Sequence, residues 1–256
     1  MIIDCFTFFN ELDLLDLRLH EHWDFVDKFV ILEGDRTYPG KKYDSNFLKN
    51  YDRFKWAKKK IIHKIAPLKE FPVSRWENEQ WQRDYWGEVY RDFQGSDYIL
   101  QGCVDELYRK DTILDIYKTK LSPVLLVLDE HYYYLNSKDS GTNQKYPCPI
   151  AMFKKDIDCG TDAMWKKRYD YPQIDNAGWH FSYCGGAEII KEKLENYSHA
   201  ENDTDVMKDP VRIKDYTDRG IDLFDRPIHD FSYVEIDETF PRYLQKHQNK
   251  YRRLIK

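Results

Sequence analysis

Tyr98-Ile-Leu-Gln-Gly-Cys-Val-Asp-Glu-Leu-Tyr108 is the stretch on which the reading of this chain turns. Tyr98, Ile99 and Leu100 have the aromatic and β-branched character of a buried strand, and Gly102 marks its expected end. Asp105 and Glu106 then stand where such a strand runs out into solvent. In open α/β sheets ligands bind beyond the carboxyl ends of the strands, and carboxylates placed there can hold a cation against a phosphate. A purely structural reading competes. The chain is 33% charged, and Asp-Glu recurs at Asp129-Glu130 and Asp237-Glu238, the first of these after a better apolar run, Val124 to Leu128. The pair gains its meaning from the rest of the chain.

Upstream, residues 2–9 form an apolar, β-branched run that reads as a first buried strand. Asn10 is the expected N-cap of a helix over 11–22, with Leu12, Leu15 and Leu19 on one face. Residues 26–32 read as a second strand ending at Glu33-Gly34, 46–58 as a helix and 60–65 as a third strand. Ser74 is the expected cap of a long helix over 75–93, with Trp86, Val89, Tyr90 and Phe93 on one stripe and Glu79, Gln82 and Arg83 opposite. With a further helix over 111–120, this alternation argues for a mostly parallel sheet with crossover helices.

Downstream the pattern changes. Residues 124–135 and 150–154 read as strands joined by a polar loop rich in Ser, Gly and Asn, and 162–169 as a helix. Gly178-Trp-His-Phe-Ser182 alternates as a short strand, Gly185-Gly186 turns the chain, and 187–197 is an amphipathic helix. Residues 200–237 are polar and acidic, and 241–255 reads as a basic terminal helix.

At 256 residues, with 41% hydrophobic content, the chain can bury a sizeable core. A net charge of −5 argues against a nucleic-acid partner, for which a basic face is expected. Aromatics reach 16%, enough to line a sugar cleft or simply to fill a core. No stretch approaches the roughly 20 apolar residues that span a bilayer, and the first residues lack the pattern of a signal peptide. Five scattered cysteines without metal spacing fit a reducing compartment, so a cytoplasmic location is expected, or else a catalytic domain trimmed of an anchor. There is no Gly-rich phosphate loop and no GxSxG elbow, which counts against dinucleotide enzymes, P-loop NTPases and α/β-hydrolases. What remains is Asp105-Glu106 at one strand end and His180 at another. Carboxylate oxygens suit Mg²⁺ or Mn²⁺, and an imidazole shifts the preference toward Mn²⁺. Trp179 can stack on a sugar or pack, Gly185-Gly186 can admit a ligand or only turn, and Glu188 lies in the first turn of a helix, where the macrodipole favours a carboxylate anyway.

Taken together, these segments resemble glycosyltransferase family 17, β-1,4-N-acetylglucosaminyltransferases that add a bisecting sugar to N-glycans. The matching stretches are Ile3-Asp-Cys-Phe-Thr-Phe-Phe-Asn-Glu-Leu-Asp-Leu-Leu-Asp-Leu-Arg-Leu19, Phe29-Val-Ile-Leu-Glu33 with Thr37 and Gly40, Glu79 with Gln82-Arg83, residues 97–107, and Ala177-Gly-Trp-His-Phe-Ser-Tyr-Cys-Gly-Gly-Ala-Glu188. The likeness covers most of 1–200, weakening in 120–175 and after 200.

The resemblance implies a GT-A-like α/β fold over 1–200, with 201–256 as a C-terminal helical extension packed on the same domain. It also implies an inverting transfer to a glycan acceptor from a nucleotide sugar, usually UDP-N-acetylglucosamine, with a divalent metal, Mn²⁺ or Mg²⁺. Asp105 matches the second acid of the family's Asp-x-Asp-Glu motif and, with His180, is the expected metal ligand. Glu33 and Thr37 are expected near the nucleoside, and Glu79 and Arg83 near the diphosphate or sugar. Cys103, Trp179, Gly185 and Gly186 are expected to contact substrate. Glu188 is the expected base, with Asp162 and Asp175 as rivals. The sequence departs from the motif at its first acid, which is Cys103, and at Tyr108, where a Pro is usual. The departure opens an alternative, a degenerate transferase that binds nucleotide or glycan, and an all-core structural protein is the third.

Overall fold

The computed structural model describes residues 1–141 and 145–256. Ten strands are present among the described residues: β1 (Ile2–Thr7), β2 (Lys28–Gly34), β3 (Ile61–Ala66), β4 (Tyr98–Cys103), β5 (Glu106–Tyr108), β6 (Val124–Tyr132), β7 (Ser137–Asp139), β8 (Lys145–Phe153), β9 (Gln173–Ser182) and β10 (Phe231–Tyr233). Eight form one sheet in the order β3-β2-β1-β4-β8-β6-β9-β5. The strands β3, β2, β1 and β4 run parallel, β8 is antiparallel to both β4 and β6, β9 is parallel to β6, and β5 is antiparallel to β9. This is the expected mostly parallel, Rossmann-like mixed sheet.

Alternation along the strands sends side chains to two cores. Phe6, Phe29, Ile31, Tyr98 and Leu100 meet Leu15 and Leu19 of the helix Leu12–Glu21 and Ile113 of the helix Lys110–Lys118. On the other face Ile3, Cys5, Val30, Leu32 and Ile99 meet Trp86 and Val89 of the helix Arg75–Val89. A sheet apolar on both faces is what near-continuous hydrophobic strands require.

The structure corrects several boundaries. Gly102 does not end β4, which continues to Cys103. Asn10 does not cap the first helix; its amide donates instead to Glu192 Oε2 at 2.7 Å. Ser74 holds the N-cap position of its helix but makes no capping bond. The expected 46–58 helix breaks into short pieces at Asn50, whose side-chain amide bonds Asn46 O at 2.9 Å and competes with the helical ladder. The expected 241–255 helix is a short helix, Arg242–Lys246, followed by a 3-10 segment, Gln248–Leu254. Its two buried residues, Tyr251 and Leu254, are three apart, the spacing that a 3-10 turn superposes. The loop between β6 and β8 holds β7, which pairs with β10; residues 142–144 of that loop lie outside the described residues.

The segment beyond residue 200 packs on the same body. Phe240, Leu244, Tyr251 and Leu254 join Leu14, Leu17, Leu107 and Trp179 in one cluster, and Ile213, Leu223 and Phe231 join Tyr132 and Leu194 in another.

Candidate active site

Five parallel strands finish at one edge of the sheet, and the last residue of each borders a single cavity: Thr7, Gly34, Cys103, Tyr132 and Ser182. The cavity holds about 640 Å³, enough for a nucleotide-sized ligand. It lies beyond the carboxyl ends of the strands, where an open α/β sheet leaves room for one.

The turn carrying Asp105 is held from beneath by buried charge. Asp4 on β1 is completely buried and takes the Arg18 guanidinium in a bidentate pair, Nε to Oδ2 at 2.9 Å and Nη2 to Oδ1 at 2.6 Å. Arg18 Nη1 in turn donates to the carbonyls of Cys103 (2.7 Å) and Glu106. His22 Nε2 accepts the Tyr108 amide at 2.8 Å, so its proton lies on Nδ1, 2.8 Å from Asp4 Oδ2. Burial alone would raise Asp4, but Arg18 and His22 hold its carboxyl below the ordinary range. The helix Leu12–Glu21 thus positions the motif through backbone carbonyls and one amide.

Strand pairing then assembles the floor. β5 sets Glu106 opposite His180, and β6 sets Glu130 opposite His180 from the other side. His180 Nδ1 lies 3.4 Å from Glu130 Oε1, its Nε2 lies 3.8 Å from Asp105 Oδ2, and its ring stacks on Tyr146 with centroids 3.7 Å apart. Burial opposes charge on His180, yet the Glu130, Asp105 and Glu106 carboxylates around the ring raise its pKa. Lys193 Nζ pairs with Asp105 Oδ2 at 3.0 Å and approaches Glu11 Oε1 at 3.5 Å. Burial works against the Asp105 carboxylate, but Lys193 and His180 hold its pKa below the usual value. Glu106 is pushed up to about 7, first by burial and then by Asp105. Cys103 is exposed at the strand end; the Glu106 and Asp105 carboxylates push its thiol up, and its sulfur accepts a hydrogen bond from Thr7 Oγ1 at 3.4 Å.

The residues expected at the site divide into two groups. Thr37, Glu79, Cys103, Asp105 and His180 border the cavity, and the Thr37 hydroxyl is buried without a partner, as a ligand-facing hydroxyl would be. The others lie outside its lining. Glu33 is buried and accepts from the Asn46 amide (2.9 Å), Tyr43 OH (3.1 Å) and His63 Nε2 (2.8 Å), which ties β2 to the following helix start. Arg83 is committed to Glu79 and to Asp162 (2.7 Å). Trp179 turns to the opposite side, where its Nε1 donates to Thr239 O at 2.9 Å and Arg109 lies over its ring. Alternation demands this once His180 faces the cavity. Gly185 and Gly186 take positive φ, 135° and 84°, to lead into the helix Ala187–Asn196, whose first turn carries Glu188. Asp162 is also paired with Lys166, and Asp175 is exposed on β9.

Sequence reasoning passed over Lys193, Glu11, Tyr146 and Arg226, all of which border the cavity. Glu11 stood inside a quoted stretch, but nothing separated it from its acidic neighbours.

The metal set implied by the resemblance does not fit these residues as arranged. The Asp105 oxygen that faces His180 already carries Lys193, and position 103 offers a thiol in place of a carboxylate. Among the described residues no three His, Cys, Asp or Glu side chains are grouped to hold a metal ion.

A strand-end cavity of this size, with Asp105 at the motif position on its border, places a candidate ligand site on an α/β scaffold. The family model for glycosyltransferase family 17 matches residues 1–254, and the chain belongs to that family. It is similar to the β-1,4-mannosyl-glycoprotein 4-β-N-acetylglucosaminyltransferases of Rattus norvegicus, at 23% identity, and Homo sapiens, at 22%. Each alignment covers 99% of this chain, and 54% and 55% of the relatives, so the chain spans about half the length of the curated relatives it matches. Among solved structures, 4-diphosphocytidyl-2C-methyl-D-erythritol synthase matches with a TM-score of 0.37 and 9% identity over 68% of this chain and 87% of that one.

Proposed function

We propose that this chain is an inverting glycosyltransferase that moves N-acetylglucosamine from UDP-N-acetylglucosamine to a hydroxyl of a glycan acceptor. One observation carries the reading: the ends of five parallel strands and the Asp105–Lys193–His180 cluster meet at one cavity. The family membership and the names of the relatives support the choice of sugar and acceptor. In the transfer, the acceptor oxygen bonds to the anomeric carbon as the bond from that carbon to phosphate oxygen breaks. The electron pair leaves with the diphosphate, and the hydroxyl proton passes to a carboxylate. Glu11, Glu79 and Asp105 are carboxylates that border the cavity, and Tyr38, Tyr43 and Phe9 offer ring faces to base or sugar.

The test is a thermal-shift screen of nucleotide sugars, followed by a UDP-release assay with and without a glycan acceptor. UDP-N-acetylglucosamine is expected to raise Tm by several degrees and to yield UDP. No shift with any nucleotide sugar, with or without Mn²⁺, would remove the reading. Cys103 favours a second reading, a nucleotide- or glycan-binding module, and a thermal shift with no UDP release would select it.

A further inference from the structure

The departing diphosphate needs positive charge, and only certain side chains around the cavity can supply it. Arg36 is tied to Gly40 O at 3.1 Å and Glu70 at 2.8 Å, and Arg226 to Asp222 at 2.9 and 2.8 Å. Lys193 is set apart by its partner rather than by exposure, which at 20% is below that of Arg36 (22%) and Arg226 (37%). It stands on the helix Ala187–Asn196 with its ammonium against Asp105, the residue at the motif position, and borders the cavity there. An ammonium has three N–H donors. Asp105 at 3.0 Å accepts one, Glu11 at 3.5 Å draws a second, and the Tyr183 ring centroid lies 5.1 Å from the ammonium, so a ligand oxygen would take the third donor in place of that ring contact.

A divalent ion would compete for the same place. Bound to either Asp105 oxygen at roughly 2 Å, it would lie within about 5 Å of the ammonium on Oδ2 and be repelled by it. Cys103 stands where the motif carries an acid, so the site lacks a carboxylate that would favour a dication over a single ammonium. His180, the remaining expected ligand, has its ring sandwiched against Tyr146 and between the carboxylates of Glu130 and Asp105.

We propose that Lys193 is the cation that receives the diphosphate of the nucleotide sugar, so that the donor is bound without a divalent metal. This rests on the donor reading above. As the bond from sugar to phosphate breaks, its electron pair stays on the departing oxygen, and the Lys193 ammonium meets the charge by hydrogen bonding while keeping its own proton.

Calorimetric titration of UDP into the full chain, in chelator and again in excess Mn²⁺, tests this directly. UDP is expected to bind in chelator, with Mn²⁺ changing Kd by less than about threefold. Lys193→Ala is expected to weaken UDP by roughly tenfold or more, and Lys193→Arg to keep most of the affinity. Binding that requires Mn²⁺, or a folded Lys193→Ala protein that binds UDP as well as the native chain, overturns the proposal. The chelator comparison needs no variant, so it decides even if Lys193→Ala fails to fold. If UDP binds under neither condition, the donor reading fails; inorganic pyrophosphate titrated in the same way then decides on Lys193. Chelator-insensitive pyrophosphate binding that is lost in Lys193→Ala keeps the assignment, and its absence ends it.

Discussion

Glu130 and His131 are neighbours on β6 with opposite surroundings. Glu130 lies opposite His180 at the cavity floor, whereas His131 lies opposite Phe181 and contacts the rings of Phe181 and Phe240, with centroids at 5.0 and 5.5 Å. Burial pushes the His131 imidazole down to about 3, against the pull of Asp129. An unfolded histidine titrates near about 6.5, so below that pH the unfolded chain takes up a proton that the native state refuses. The stability tied to His131 is therefore full above about pH 6.5 and is lost as pH falls toward about 3, at roughly 1.4 kcal/mol per pH unit. Urea denaturation between about pH 7 and 5 should show a shallower loss for His131→Leu than for the native chain. Equal slopes would place the acid sensitivity elsewhere. The same alternation bears on what could be read beforehand. Once His180 was assigned to the site, Trp179 had to face away, and that inference was open in the sequence. The placement of Lys193 was not, because it meets Asp105 across 88 residues of chain and is one of 40 Lys and Arg.

Among the elements, those carried by strong local signals were legible. Apolar runs gave β1, β2 and β4, and the stripe of Trp86, Val89 and Tyr90 gave the helix Arg75–Val89. The pairing of β5 with β9 had no local signal, since Glu106-Leu-Tyr108 is only three residues long. That pairing places Asp105 and Glu106 beside His180, and it depends on close approach at Gly178, where an added Cβ would meet Leu107 O at 1.9 Å. Gly178→Ala should therefore cost about 3 kcal/mol, since backbone must shift to admit the methyl, and should weaken UDP binding through the displaced turn. A thermal melt and a UDP titration would check both. An alanine variant that melts and binds like the native chain would mean that β5 and β9 lie less closely than this.

For the molecule as a whole, the C-terminal segment decides whether there are one or two folding units. Leu244 and Leu254 are buried with Leu14 and Leu17 of the first helix, and Tyr251 OH donates to Asp16 Oδ2 at 2.6 Å. Leu254 O also accepts the amide of Leu135 just past β6. Leu244→Ala should remove about 2–5 kcal/mol from the entire chain rather than loosen its end alone. Denaturation followed by tryptophan fluorescence and by far-ultraviolet circular dichroism should give coincident transitions, both moved to lower denaturant. A separate early transition would show that residues 201–256 fold by themselves. The polar composition of this stretch concealed its role, because its few apolar residues matter by where they land.

The grip of Arg18 on the motif turn leaves the chemistry of position 103 free to drift. Arg18 holds the carbonyl oxygens of Cys103 and Glu106, groups that every substitution there retains, whereas His22 accepts the Tyr108 amide, a hydrogen that proline at 108 would not supply. A thiol can stand where an acid is usual without redrawing the path of the backbone, and Tyr108, where proline is usual, brings the amide hydrogen that His22 accepts. Shape is inherited from β1 and the first helix, while the identity of the side chain at 103 is left to be tuned to the charge of the ligand.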